Sequence, residues 1–165
     1  APDPVPPALI RKVCEAGTFA PSGGNRQPWV FVAVTEPARR RWVAERYRPL
    51  FHRYIQPALE AAQDPAYPDD KRRNMRSAIW LADHLHEVPV HVIPCIEGRF
   101  ENGGTLAQAS MYGSILPAAW SLMLALRARG LGSAWTSLHI IHEAEVATLL
   151  GIPPTVTQAA LLLDG

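Results

Sequence analysis

Residues 102–126, NGGTLAQASMYGSILPAAWSLMLAL, run for twenty-five positions without a charge, in a chain that is 19% charged. Within this run and its flank, Leu106 to Arg129 has the composition of a helix. Such a helix is apolar almost all round, so it must be covered on every side rather than along one stripe. Ala109, Gly113, Ala118 and Ala119 are small enough to let another helix approach closely, and Pro117 predicts a kink. Two coverings stay open at this point: the core of a single chain, or an interface between two copies. Gln108, Ser110, Tyr112, Gly113, Ser114, Pro117 and Ser121 interrupt the stretch, leaving no apolar run near the ~18 residues that a membrane span needs. The expectation is therefore a protein with no membrane segment.

Working outward, Leu9, Ile10 and Val13 recur at helical spacing over Ala8 to Thr18, with Gly17 near the stop. Turn residues Pro21 to Asn25 follow, then an apolar strand over Trp29 to Val34. Ala38 to Ala62 reads as helix, and proline's missing N–H predicts breaks at Pro49 and Pro57. Asp64 to Asp70 is a loop, Lys71 to His86 a helix, and Val88 to Ile93 a buried strand. After Gly130-Leu131-Gly132, the pattern predicts an extended segment over Ser133 to Leu138. A short helix over Glu143 to Leu150 and a last apolar strand over Thr155 to Leu163 complete it.

The chain has 165 residues, 48% of them hydrophobic, which suits one domain over residues 1–165 with a sizeable core. Sixteen basic against fifteen acidic residues give a net charge of +1, not the basic excess of a nucleic-acid binder. Cys14 and Cys95 are too few and too far apart for a disulfide scaffold, and read as reduced thiols of a cytoplasmic protein. No charged segment followed by an apolar one opens the chain as a signal peptide would, and the first residue, Ala1, is not Met, as in a trimmed chain.

Several motifs lead nowhere. Gly130-Leu131-Gly132 has Trp135 where a dinucleotide turn needs its third glycine, and it follows a helix rather than a strand. His139 and His142 lie three residues apart without a third ligand, and read as a solvated loop entering a helix. Arg39, Arg40, Arg41, Arg46 and Arg48 read as a solvated helix face. No metal site and no catalytic acid or base is expected. The loop Pro21-Ser22-Gly23-Gly24-Asn25-Arg26-Gln27-Pro28-Trp29 differs. Its glycines free the backbone to approach a ligand, and Ser, Asn and Gln add neutral donors and acceptors suited to a heteroaromatic ring edge.

At this loop, Ala20 to Trp29 resembles the FMN-dependent nitroreductase family, whose signature is APSxxNxQPW. Ala107 to Thr136, ending LRARGLGSAWT, is similar to that family's long central helix and flavin-facing strand, and LLGIP at residues 149–153 is a third match. The resemblance implies an α+β fold, a nitroreductase-like three-layer sandwich with a mostly antiparallel sheet flanked by helices and a long central helix at a dimer interface. It implies a homodimer with two FMN sites at that interface. By this likeness Pro21, Ser22, Gly23, Asn25 and Gln27 hold the flavin, and Trp135, Thr136, Ser137 and Leu138 lie along the ring near N5, the two sets coming from different subunits. It implies a ping-pong oxidoreductase that takes hydride from NAD(P)H and delivers it to a nitroaromatic, quinone or similar planar acceptor. The competing readings are a protein that sequesters flavin without turnover, and a flavin-fragmenting or dehalogenating relative, whose substrate lid Asp64 to Asp70 is too short to form. The family also carries basic, phosphate-binding segments before a stretch like Asp3–Pro6 and beyond a strand like Ala159–Leu163. The present sequence contains neither. Its counterpart to the family's contact from the helix before the second strand would be His84 or Arg76.

Overall fold

Val90–Glu97 (β2) is the strand on which the sheet is assembled. Seven of its eight residues are buried, so it reads as a continuous apolar run rather than an alternating one. A computed structural model describes residues 3–165. Trp29–Val34 (β1) lies antiparallel to one edge of β2, pairing Trp29 with Ile96 and Val34 with His91. Along the other edge run Val156–Gln158 (β4) and Leu161–Asp164 (β5), both antiparallel. Ser133–Thr136 (β3) pairs with β5 and closes the order β1-β2-β5-β3.

The expected last strand is thus split in two. From Val92–Leu162 to Cys95–Gln158, β2 advances three residues while its partner advances four, a β-bulge at Ala159–Ala160. Pro94 explains where it falls. The N–H and C=O of one strand residue face the same neighbour, and the Pro94 carbonyl accepts the Ala159 N–H at 2.9 Å. Proline's missing donor therefore faces the bulge, where the ladder is already broken. β2 also starts later and runs four residues further than the sequence pattern suggested.

Helices cover both faces. Pro7–Gly17 (α1) and Gly104–Arg127 (α4) pack on Phe31, Val90, Val92, Ala160 and Leu162. Pro37–Ala61 (α2), Asp69–His84 (α3) and Glu143–Leu150 (α5) pack on Val32, Ile93, Cys95, Leu161 and Leu163. The predicted breaks in α2 do not occur. Val43, Tyr47, Phe51 and Ile55 pin one side of the helix, while Pro49, Pro57, Glu45 and Arg53 all lie on the exposed side. The carbonyls of Glu45 and Arg53, deprived of their proline donors, thus stay open to water, which removes most of the usual cost.

By length and average composition α4 is apolar enough to cross a membrane, because Ser and Tyr subtract little from an average set by Leu, Met, Ile and Ala. Its packing shows its place in this fold. Met111, Ile115, Ala118, Ala119, Leu122 and Leu126 are buried within the molecule. The opposite face stays open, with Leu106 85%, Trp120 56% and Leu124 52% exposed. One chain covers only half of this helix, which carries no charge before Arg127.

Candidate functional site

The loop between α1 and β1 turns through a short 3-10 segment, Gly23–Asn25, and holds three residues in left-handed backbone: Gly24 at φ 61°, Asn25 at 52° and Gln27 at 51°. Glycine adopts this region freely and asparagine with little loss, but glutamine does so at a cost of roughly 1–2 kcal/mol. Conformations of that kind persist where surrounding bonds over-determine them, and they gather at ligand sites. Here Ser22 does much of the holding. Its carbonyl accepts the Asn25 N–H at 2.9 Å and its hydroxyl accepts the Gln27 N–H at 3.0 Å. Gln27 Nε2 donates to Asn25 Oδ1 at 3.0 Å. That leaves the Asn25 amide N–H groups, Gln27 Oε1 and the Ser22 hydroxyl proton without partners in the loop.

Two residues that the sequence reading passed over complete this side. Ser110 and Ser114, one turn apart on α4, form with Pro21, Ser22, Gly23 and Gly113 the wall of an open cavity of about 300 Å3. The Gly23 N–H donates to Ser114 Oγ at 3.0 Å, and a Cβ on Gly23 would stand 2.9 Å from Ser110 Oγ. Their signal was their spacing: two hydroxyls at i and i+4 on one side of a mostly apolar helix.

The second predicted set lies elsewhere. Trp135 stands opposite Leu162 on the face that carries α4, and is 40% exposed. Thr136 points the other way, its Oγ1 sharing a 2.7 Å hydrogen bond with the Tyr47 hydroxyl of α2. Ser137 and Leu138 are not a continuation of the strand. β3 ends at Thr136, and Leu138 opens a 3-10 turn to His142. The strand order puts β1 and β3 on opposite edges of the sheet, about 14 Å apart at three strand spacings. Pro21 to Gln27 and Trp135 to Leu138 are therefore not brought together within one chain.

Beside β3 opens a cleft of about 250 Å3, between Gly132, Ser133 and Ala134 on one side and Trp80, Leu81 and His84 of α3 on the other. Trp80 and His84 stack with ring centres 4.4 Å apart. Of the two residues considered for a contact from this helix, His84 lines the cleft. Arg76 is exposed and does not.

His139 corrects the reading of its segment as a solvated loop. It is 2% exposed, under the face of the sheet that carries α2 and α5, and neither ring nitrogen has a partner. Burial pushes its pKa down to about 4. His142, by contrast, turns outward to Glu145 at 2.7 Å. Among the described residues no three His, Cys, Asp or Glu side chains gather where they could hold a metal. The arginine run is largely spoken for. Arg39 pairs with Glu36, Arg40 donates to the carbonyls of His86 and Val88, and Arg46 pairs with Glu145 while lying over Trp42.

Apart from Arg26, the donor set of the loop is neutral, closely spaced and exposed, which fits the edge of an isoalloxazine ring with its alternating acceptors and one N–H. Neither the cavity nor the cleft is lined by Lys or Arg, so these walls fit the ring of FMN better than its phosphate.

A model described as the nitroreductase family matches residues 1–163. The chain is 49% identical over 176 residues to a Thermus thermophilus protein named NADH dehydrogenase, covering 99% of this chain and 78% of that one. It is 31% identical over 168 residues to the 5,6-dimethylbenzimidazole synthase of Rhodospirillum rubrum, covering 99% and 73%. A crystal structure of a nitroreductase with bound FMN from Bacteroides fragilis superposes with a TM-score of 0.67, at 19% identity, over 100% of this chain and 79% of that one. This last likeness is one of fold.

Proposed function

The chain belongs to the nitroreductase family, and from that premise we propose that it is an FMN-dependent oxidoreductase acting on nitroaromatic, quinone or similar planar acceptors with NAD(P)H as reductant. The observation that carries this reading is the strained loop, whose left-handed residues hold neutral donors and acceptors open to a ligand. The chemistry FMN supplies when bound is two-electron exchange, hydride in from the nicotinamide and hydride out to the acceptor. The protein's part is orientation and electrostatics. Pro21, Ser22, Gly23, Asn25 and Gln27 hold the ring, and hydrogen bonds to a ring that gains negative charge contribute on the order of 1.5–3 kcal/mol each. Trp135, Thr136, Ser137 and Leu138 flank it from a second copy of the chain.

That two copies are needed rests on two features: the site halves occupy opposite edges of the sheet, and α4 leaves Leu106, Trp120 and Leu124 uncovered. A homodimer joined through α4 covers that face and brings one copy's loop to the other's β3. The same proposal has one FMN-binding domain over residues 1–165 working in the cytoplasm, where NAD(P)H is supplied.

The test is direct. Protein incubated with FMN and passed through gel filtration should carry flavin absorbance, and anaerobic mixing with NADH and NADPH should bleach it. Colourless protein would sink the proposal, while flavin that binds but is never bleached would favour sequestration. A second reading has one observation behind it, the similarity to a 5,6-dimethylbenzimidazole synthase. Against it, the 49% identical relative is named a dehydrogenase, and only a short segment joins α2 to α3. Product analysis after exposing reduced FMN to oxygen on the protein separates the two, since fragmentation consumes the flavin.

A further inference from the structure

Ser114 sits in the middle of α4, 3% exposed, with Ile115 and Ala118 buried beside it. A hydroxyl buried in such a place is costly unless it is bonded both ways. It is: Ser114 Oγ donates to the Ser110 carbonyl at 2.8 Å and accepts the Gly23 N–H at 3.0 Å. Its backbone is engaged as well, the Ser114 carbonyl accepting the Trp29 indole N–H at 2.9 Å. One helix residue thus anchors the loop at both ends, at Gly23 before the left-handed run and at Trp29 after it. Between the anchors lie Gly24, Asn25 and Gln27, the residues in costly backbone.

A segment held by both ends keeps a strained middle only while the anchors hold. We propose that Ser114 is a positioning residue for the flavin loop, its hydroxyl fixing the Gly23 amide and thereby where Ser22, Asn25 and Gln27 present their polar atoms. Ser114 acts through the loop, its hydroxyl being already engaged by the Ser110 carbonyl and the Gly23 N–H. This inference rests on the FMN reading above.

The experiment compares Ser114→Ala, Ser114→Cys and Ser114→Thr with the wild type. Without its acceptor the Gly23 amide is free, so S114A should weaken FMN binding roughly tenfold, the worth of one hydrogen bond, by fluorescence quenching. The visible band of its bound flavin should shift in shape. The flavin-free S114A protein should stay folded and melt only slightly lower than the wild type, because alanine's better helix propensity offsets part of the lost hydrogen bond. S114C, with a weak acceptor, should fall between, and S114T, which keeps the hydroxyl, should bind within about threefold of wild type. In flavin-free protein the Gly23 amide should exchange with solvent faster in S114A, a readout independent of the cofactor. Equal FMN affinity, an unchanged band and unchanged Gly23 exchange in S114A would overturn the inference alone. Folded S114T as weak as S114A would overturn it too, by removing the hydroxyl from the account. A wild type that never binds FMN would overturn the flavin reading and this inference with it.

Discussion

His91 and His139 are buried on the same face of the sheet, and burial pushes each down to about pH 4 from an ordinary value near 6.5. Only His91 has a partner, the Leu85 carbonyl at 2.9 Å. Unfolded, both rings take up a proton as pH falls through 6.5; folded, they resist until about 4. The unfolded state therefore binds more protons in that window, and stability declines from pH 6.5 to 4 by about 3 kcal/mol per ring. Replacing His139 with Phe should raise the thermal midpoint at pH 5 and flatten this acid limb, as differential scanning calorimetry across pH would show. Asp164 works in the opposite direction. Burial raises its carboxyl to about 7 despite the Ser133 hydroxyl at 2.5 Å, so the folded state keeps a proton that the unfolded state releases near 4. Its contribution is present below pH 4 and is lost as pH rises through 7. Asp164→Asn should stabilise the protein at pH 8 and change little at pH 4. The strand pattern already buried His91, but His139 and Asp164 were not legible in the sequence, because periodicity places His139 in a polar turn and says nothing of what packs over it.

Among the elements, α2 and α4 carry the same lesson about proline with different consequences. Pro49 leaves the Glu45 carbonyl in water on an exposed face, whereas Pro117 deprives the Gly113 carbonyl of its donor beside the loop cavity. Restoring the N–H should stabilise either helix by less than about 1 kcal/mol, because both orphaned carbonyls belong to exposed residues and the unfolded chain becomes freer. The two should differ in function. Pro117→Ala changes the helix one turn from Ser114 and is expected to raise the melting temperature while weakening FMN binding. Pro49→Ala is expected to raise it with FMN affinity intact. Sequence reasoning located both helices to within a few residues, since composition and spacing are local properties. It failed on the continuity of α2, because the cost of a helical proline depends on whether the orphaned carbonyl meets water or protein.

For the whole molecule, the question is what covers α4. An exposed, uncharged helix face bearing Leu106, Tyr112, Trp120 and Leu124 suits a two-fold contact in which each substitution counts twice. Trp120→Glu should convert a dimer into an 18.1 kDa monomer by sedimentation velocity and should abolish flavin retention while leaving the fold's circular dichroism unchanged. Loss of the dimer with full flavin binding would show that one chain holds the complete site. The sequence by itself determined the order of helices and strands, the uncharged helix and the signature loop. All of these are written in spacing and turn residues within a few positions of each other. Only the tertiary structure decided that Ser114 anchors that loop, that Tyr47 holds Thr136 and that the two predicted residue sets adjoin opposite sheet edges. The bonds concerned join residues 91 and 89 positions apart, and no local pattern encodes which distant groups the packed core brings within 3 Å.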